Sequence, residues 1–209
     1  MPRHRPKPPK DERREYDGRV RLGSGEFRGR MVDCPQTGDV RPMLSRTRES
    51  MLNVLHQRLQ GAVVWDCFAG SGLLGLECIS RGAKFCVFLE RDARHARVVQ
   101  GNIDSLGVAS RSMLFRGSIF DLVRPGAKPL PHAPADIVLL DPPHAMIEDP
   151  EGPFWPWLAT LHETPLWQPA LLVAIGHPGR LEFPADLGAL AVADRREHGN
   201  VGFTLLQPA

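Results

Sequence analysis

Two short segments of this 209-residue chain bring together residue types that could do chemistry. The first is D-C-F-A-G-S-G-L-L-G, running from Asp66 to Gly75. Its glycines, Gly70, Gly72 and Gly75, follow the G-x-G-x-x-G spacing, which lets a backbone turn sharply and approach a ligand closely. That spacing alone is a weak signal. Here an apolar run leads into it, a helical pattern follows, and Glu90 closes the next apolar run. An acid so placed can accept hydrogen bonds from ribose hydroxyls, and the combination points to a nucleoside-bearing cofactor. The plainer alternative is a tight turn with Glu90 as a surface charge. The second segment is Asp141-Pro142-Pro143-His144. Its two prolines fix an extended turn that presents the Asp141 carboxylate and the Pro142 carbonyl toward one point. Two converging acceptors suit an amino group with two hydrogens to donate, and the flat ring of His144 can stack on a base. Standing alone, the same four residues would read as a rigid loop with an N-cap aspartate. Nicotinamide and S-adenosylmethionine enzymes share the glycine architecture, but only amine methylation has a use for the acceptor pair.

Stepping outward, the elements needed to position these residues are legible. Ala62 to Phe68, Phe85 to Glu90, Arg111 to Arg116, Ala135 to Asp141 and Ala170 to Ile175 read as strands. Gly72 to Ser80 and Ala93 to Leu106 read as helices between them. Such alternation predicts an α/β, Rossmann-like, mostly parallel sheet with ligands at the carboxyl ends of its strands. Ala189 to Glu197 and Val201 to Gln207 predict a closing antiparallel hairpin around His198–Gly199–Asn200. Upstream, Arg19 to Val32 reads as a small β-hairpin, Cys34 to Pro42 as a loop, and Ser45 as the cap of a helix presenting Met51, Leu52, Leu55 and Leu59. The expected organisation is a disordered basic arm over 1–18, a hairpin-and-helix extension over 19–60, and the main domain over 61–209.

Composition limits the function classes. A hydrophobic fraction of 42% supports a packed core. The four cysteines, Cys34, Cys67, Cys78 and Cys86, lack zinc-type spacing and read as reduced thiols, so no metal is expected and a cytoplasmic location is. No apolar run is long enough to span a bilayer. Net charge is +2, but residues 1–30 hold ten Arg or Lys against five Asp or Glu. A basic arm on a near-neutral body suits phosphate contact as well as it suits a solvated tail. Arg41, Arg46 and Arg48 are open to the same two readings. The C-terminal third, with Trp155, Trp157 and Trp167, reads as packing.

Four motifs in order carry a family resemblance: S-G-E-F-R-G-R from Ser24, R-P-x-x-x-R-x-R-E-x-x-x-N from Arg41, D-x-F-A-G-S-G-x-L-G-L-E-x-x-S-R-G-A from Asp66, and D-P-P from Asp141. Together they resemble the RsmD-type 16S rRNA guanine-N2 methyltransferases, from about Val20 to the C-terminus. The resemblance implies a class I methyltransferase fold and S-adenosylmethionine as cofactor. It implies the N2 amine of guanine 966 as target, in a small ribosomal subunit or an assembly intermediate, and a monomer. It assigns Asp66, Phe68, Gly70, Gly72, Gly75 and Glu90 to the cofactor, Asp141, Pro142 and His144 to the reacting base, and Arg28, Arg30, Arg41, Arg46 and Arg48 to RNA. Asn102, on the helix after Glu90, is a further cofactor candidate that reads equally as a polar helix position. Where the family usually has Tyr or Phe this chain has His144, and where it has Asp or Asn for the adenine amine this chain has Ser118, with Asp121 one turn later as a substitute. Pro125 to Pro134 reads as an inserted loop. The rival readings are the same chemistry on adenine N6 or a protein glutamine, and a non-catalytic RNA-binding or assembly factor.

Overall fold

The computed structural model describes residues 18–35, 43–128 and 130–209. The expected arm and Arg41 therefore lie outside the described residues. Seven strands form one sheet: β3 (Val63–Asp66), β4 (Phe85–Glu90), β5 (Ser112–Arg116), β6 (Ile137–Leu140), β7 (Leu172–Pro178), β8 (Leu190–His198) and β9 (Val201–Pro208). Their order is β5-β4-β3-β6-β7-β9-β8; the first five are parallel, and β9 runs antiparallel to both of its neighbours. This is the α/β class I methyltransferase architecture expected, with its antiparallel C-terminal hairpin. A separate two-stranded hairpin pairs β1 (Arg19–Arg21) with β2 (Met31–Asp33).

The central strands are apolar throughout because both sheet faces are covered. Side chains alternate between two cores: Val64, Cys86, Phe88, Ile137 and Leu139 enter one, and Trp65, Val87, Leu89, Val138 and Leu140 the other. The first core is closed by α1 (Ser45–Val54), α2 (His56–Leu59), α3 (Leu73–Ser80) and α4 (Ala93–Leu106). The second is closed by α5 (Ile119–Leu122), α6 (His144–Ile147) and α7 (Phe154–Ala159), whose Phe154, Trp155, Trp157 and Leu158 are all buried. Helix α4 has the ends expected from its sequence. Asp92 caps it by accepting from Arg94 N (2.7 Å) and His95 N (3.4 Å), and Gly107 ends it in the left-handed conformation. Helix α1 departs from expectation: Leu44 is its N-cap and makes no side-chain cap, so Ser45 is the first helical residue.

The N-terminal extension is not a detached module. Val20, Leu22 and Val32 belong to the same apolar core as α3 and the sheet. Polar contacts add register. Glu77, fully buried on α3, accepts from Gly23 N (2.7 Å) and stands 3.6 Å from Arg48 Nε and 3.5 Å from Arg81 Nε. Arg81 Nη1 in turn donates to Asn53 Oδ1 (2.9 Å). Asn102 on α4 accepts from Asp33 N (2.8 Å) and donates to Asp33 O (2.8 Å) and Ser71 O (2.9 Å). It is thus a brace between β2 and the glycine loop.

Gly75 shows how closely α3 lies on the sheet. A Cβ there would stand 2.4 Å from Phe88 Cε1 and 2.6 Å from Cys86 Sγ, both fully buried. Replacing Gly75 with Ala is expected to cost about 1–3 kcal/mol through overpacking. Urea denaturation would detect it as a lower midpoint, and an unchanged midpoint would mean that α3 shifts freely.

Candidate functional site

Strand β3 feeds α3 and β4 on one side, while β6 lies on its other side, so the chain reverses direction across the sheet between β3 and β6. A cleft of about 1200 Å³ opens there, at the carboxyl ends of the strands. Its wall runs from Gly117–Phe120 after β5, through Leu89–Asp92 and Cys67–Ser71, to Asp141–Met146 after β6, then His177 and Asn200–Gly202. The two sequence segments that could do chemistry therefore meet in one place.

On the first side, Gly70 (φ +57°) and Gly72 (φ +78°) have the left-handed backbone that bends the chain from β3 into α3. That bend points Gly70 N–H at Glu90, whose Oε2 accepts it at 2.8 Å. Glu90 Oε1 accepts from Asp92 N at 2.8 Å. Two amide donors orient this carboxylate and leave each oxygen a further lone pair for the cleft. Phe68 and Gly70 line the cleft; Asp66, Gly72 and Gly75 stand behind its wall. Asp66 is buried, its Oδ2 accepting from Gly75 N (3.0 Å) while Oδ1 has no partner. Burial drives its carboxyl up to about 7, with Asp141 and Glu90 adding to the effect and the Gly75 amide opposing it.

Across the cleft, Asp141 and Pro142 follow directly on β6 and line the cavity, as does His144, an exposed residue at the start of α6. Burial also raises the Asp141 carboxyl to about 7. A Cβ on Gly176 would stand 2.4 Å from Asp141 Oδ1, so the absence of a side chain on β7 makes room for this acid.

Several expected site residues have other places. Ser118 lines the cleft and also caps α5, its Oγ accepting from Phe120 N (3.2 Å). Asp121 is exposed and is not among the wall residues. Arg28 and Arg46 are exposed, away from the cavity wall; Arg30 donates to Ser105 O (2.9 Å), tying the hairpin to α4. Arg48, expected to face RNA, is 2% exposed and turned inward toward Glu77. A buried carboxylate requires a nearby cation, and α1 supplies it. Asn102, weighed as a cofactor contact, is the brace described above.

The cleft also has members that sequence reading missed. His177 is buried on β7; its Nδ1 lies 2.7 Å from Pro178 O and its Nε2 2.9 Å from Thr204 Oγ1. Since Pro178 O only accepts, Nδ1 carries the proton and Nε2 accepts from the Thr204 hydroxyl. Burial lowers its pKa and favours that neutral form. Asn200 reaches the cleft from the β8–β9 turn. The turn was legible, but its position beside β7 depends on strand order.

The family model described as conserved hypothetical protein 95 matches residues 20–207. YlbH of Bacillus subtilis, provisionally described as an rRNA methyltransferase, is 25% identical over 186 residues, covering 89% of this chain and 97% of that protein. Ribosomal RNA small subunit methyltransferase D of Escherichia coli is 32% identical over 126 residues. That match covers 60% of this chain and 61% of the relative, less than two thirds of its length. Among solved structures, a Haemophilus influenzae protein provisionally described as a methylase has a TM-score of 0.70 at 27% identity, over 91% of this chain and 99% of that one. An RNA methyltransferase from Salinibacter ruber, solved in complex with S-adenosyl-L-homocysteine, shares the fold at a TM-score of 0.58 and 16% identity, over 80% of this chain and 94% of that one.

The raised carboxyls have a consequence for stability. Between its ordinary 3.8 and about 7, Asp66 is protonated in the folded chain and ionised in the unfolded one. The folded state then binds more protons, so this group's contribution falls as pH rises through that window and levels off above it. His177 acts in the opposite sense, so the clean measure is a difference. The melting temperature of the wild type minus that of Asp66→Asn is expected to become more negative from about pH 5 to about pH 8. A difference that stays flat would mean that Asp66 is ionised throughout.

Proposed function

The chain belongs to the conserved hypothetical protein 95 family, the RsmD-type methyltransferases, and on that premise we propose that it methylates the N2 amine of a guanine in 16S rRNA. The cofactor in this reading is S-adenosylmethionine, and the target is guanine 966 in the small subunit or an assembly intermediate. The observation that carries the proposal is the single cleft holding Glu90 and the glycine loop on one side and Asp141 with Pro142 on the other.

The residues present fit such a cofactor. Glu90, oriented by two amides, has lone pairs to spare for ribose hydroxyls. Ile119 and Phe120 offer apolar surface to an adenine ring. Ser118 already accepts from Phe120 N, so its hydroxyl is left to donate, which suits a ring nitrogen better than the adenine amine. The unpartnered Asp66 Oδ1 and the carboxyl of Asp141 make the region between β3 and β6 favourable for positive charge. When bound, the cofactor supplies a methyl group on a sulfonium.

The chain's own part is to position and polarise the amine. The lone pair of guanine N2 is delocalised into the ring. Accepting its two hydrogens at Asp141 and the Pro142 carbonyl turns that lone pair outward and stabilises the positive charge developing on nitrogen. Ionised Asp141 can then take the proton released. His144 gives the base a ring to stack on, and a base so engaged has left its helix or lies in a loop. Arg28 and Arg46 remain exposed for phosphates; the hairpin and α1 that carry them are proposed as the RNA-contacting extension.

The test is transfer of labelled methyl to small subunits lacking the modification, with free RNA, DNA and protein alongside. N2-methylguanine in 16S rRNA is the expected product. Asp141→Ala is expected to lower transfer by about 100-fold or more while cofactor affinity, read by calorimetry, changes only a few-fold. Activity surviving Asp141→Ala would sink the mechanism, and label found only in DNA or protein would sink the substrate.

A further inference from the structure

The cleft extends well beyond what a nucleoside cofactor needs. Glu90 and Ser118 lie over β4 and β5, on one side of β6; His177 and Asn200 lie over β7 and β9, on the other. Asp141, at the end of β6, stands between the two halves. With the nucleoside over β4 and β5, the half over β7 and β9 is left for the methyl acceptor.

Asn200 belongs to that acceptor half. It is exposed in the turn between β8 and β9, and its side-chain amide makes no hydrogen bond among the described residues. Its backbone, by contrast, is fixed. Gly179 N–H donates to Asn200 O at 3.0 Å, and Pro178 pairs with Val201 across β7 and β9. A Cβ on Gly179 would stand 2.8 Å from Gly199 O, so the two turns are in close contact. The same strand β7 carries Gly176, against which Asp141 Oδ1 rests, and His177, locked at both ring nitrogens. One strand thus sets the separation between the reactive carboxylate and an amide with nothing to bind.

We propose that Asn200 is a specificity-determining residue that reads the purine edge beside the reacting amine; this rests on the guanine-N2 reading above. With N2 held at Asp141 and the Pro142 carbonyl, the next groups along the guanine edge are the N1–H donor and the O6 acceptor. An asparagine amide presents an acceptor oxygen and a donor nitrogen side by side, complementary to that pair. The base 2-aminopurine is the matched probe, since it keeps the N2 amine and lacks both N1–H and O6.

The experiment uses small subunits reconstituted with 16S rRNA carrying guanine or 2-aminopurine at the target position. Two ratios are measured for wild type and Asn200→Ala: kcat/KM for transfer, and particle affinity in the presence of S-adenosylhomocysteine. The affinity ratio gives a result even if 2-aminopurine is not methylated. Wild type is expected to prefer guanine by about tenfold or more. Asn200→Ala is expected to bring both ratios close to one, with a melting temperature within about 1 °C of wild type, because the side chain is exposed. A variant that keeps the wild-type ratio, or that loses both substrates in proportion, would overturn the proposal. Failure of the wild type to form N2-methylguanine would remove the parent reading first, and is told apart because it needs no variant.

Discussion

Parallel pairing forces three acids together. Asp66, Glu90 and Asp141 end, or directly follow, three adjacent strands, and the registry of β3 with β4 and β6 sets them at one edge of the sheet. Like charges in a poorly solvated place repel strongly. Each acid is accommodated differently: Glu90 by two backbone amides, Asp66 by the Gly75 amide and a shift toward its neutral form, and Asp141 by the gap that Gly176 leaves. The tight glycine turn is as much a supplier of N–H groups to these acids as a space for ligand. The rest of the fold keeps the three acids together at this edge of the sheet.

The N-terminal extension serves that same edge from outside. Glu77 gathers Gly23, Arg48 and Arg81, and Asn102 joins Asp33 to Ser71. Both run into α3 or the loop before it. Removing Glu77 itself would leave Arg48 and Arg81 buried without their acid, an effect of about 3–5 kcal/mol in comparable cases. The hairpin and the glycine loop consequently hold one another in place.

How much of this was legible depended on how local each cause is. Phe85–Glu90 was read to the residue and the helix from Ala93 to about Leu106 closely, because an unbroken apolar run and a long amphipathic pattern are local signals. The D-P-P segment and the glycine segment were placed in one cleft because the end of a parallel strand is a local address. Arg48 and Asn102 were ambiguous for the opposite reason: Asn102 contacts Asp33, which is 69 residues away in sequence, and Arg48 contacts an acid on another helix. Polar residues with partners that remote look the same as ligand contacts. The short helices α5, α6 and α7 have four to six residues each, too few for a periodic pattern. Asn200 and His177 became cleft residues only through β9 inserting between β7 and β8.

The loop of the N-terminal hairpin is seated largely through main-chain atoms. Gly23 N–H reaches Glu77, Glu26 N–H reaches Ser80 O, and Phe27 N–H reaches Ser80 Oγ, which itself donates to Ser24 O. Such a seat is indifferent to most of the side chains it carries. Arg30 adds a bond to Ser105 O and Glu26 an ion pair with Arg111, while Arg28 stays exposed. The chain thereby separates the backbone that places the loop from the Arg28 side chain that the loop displays.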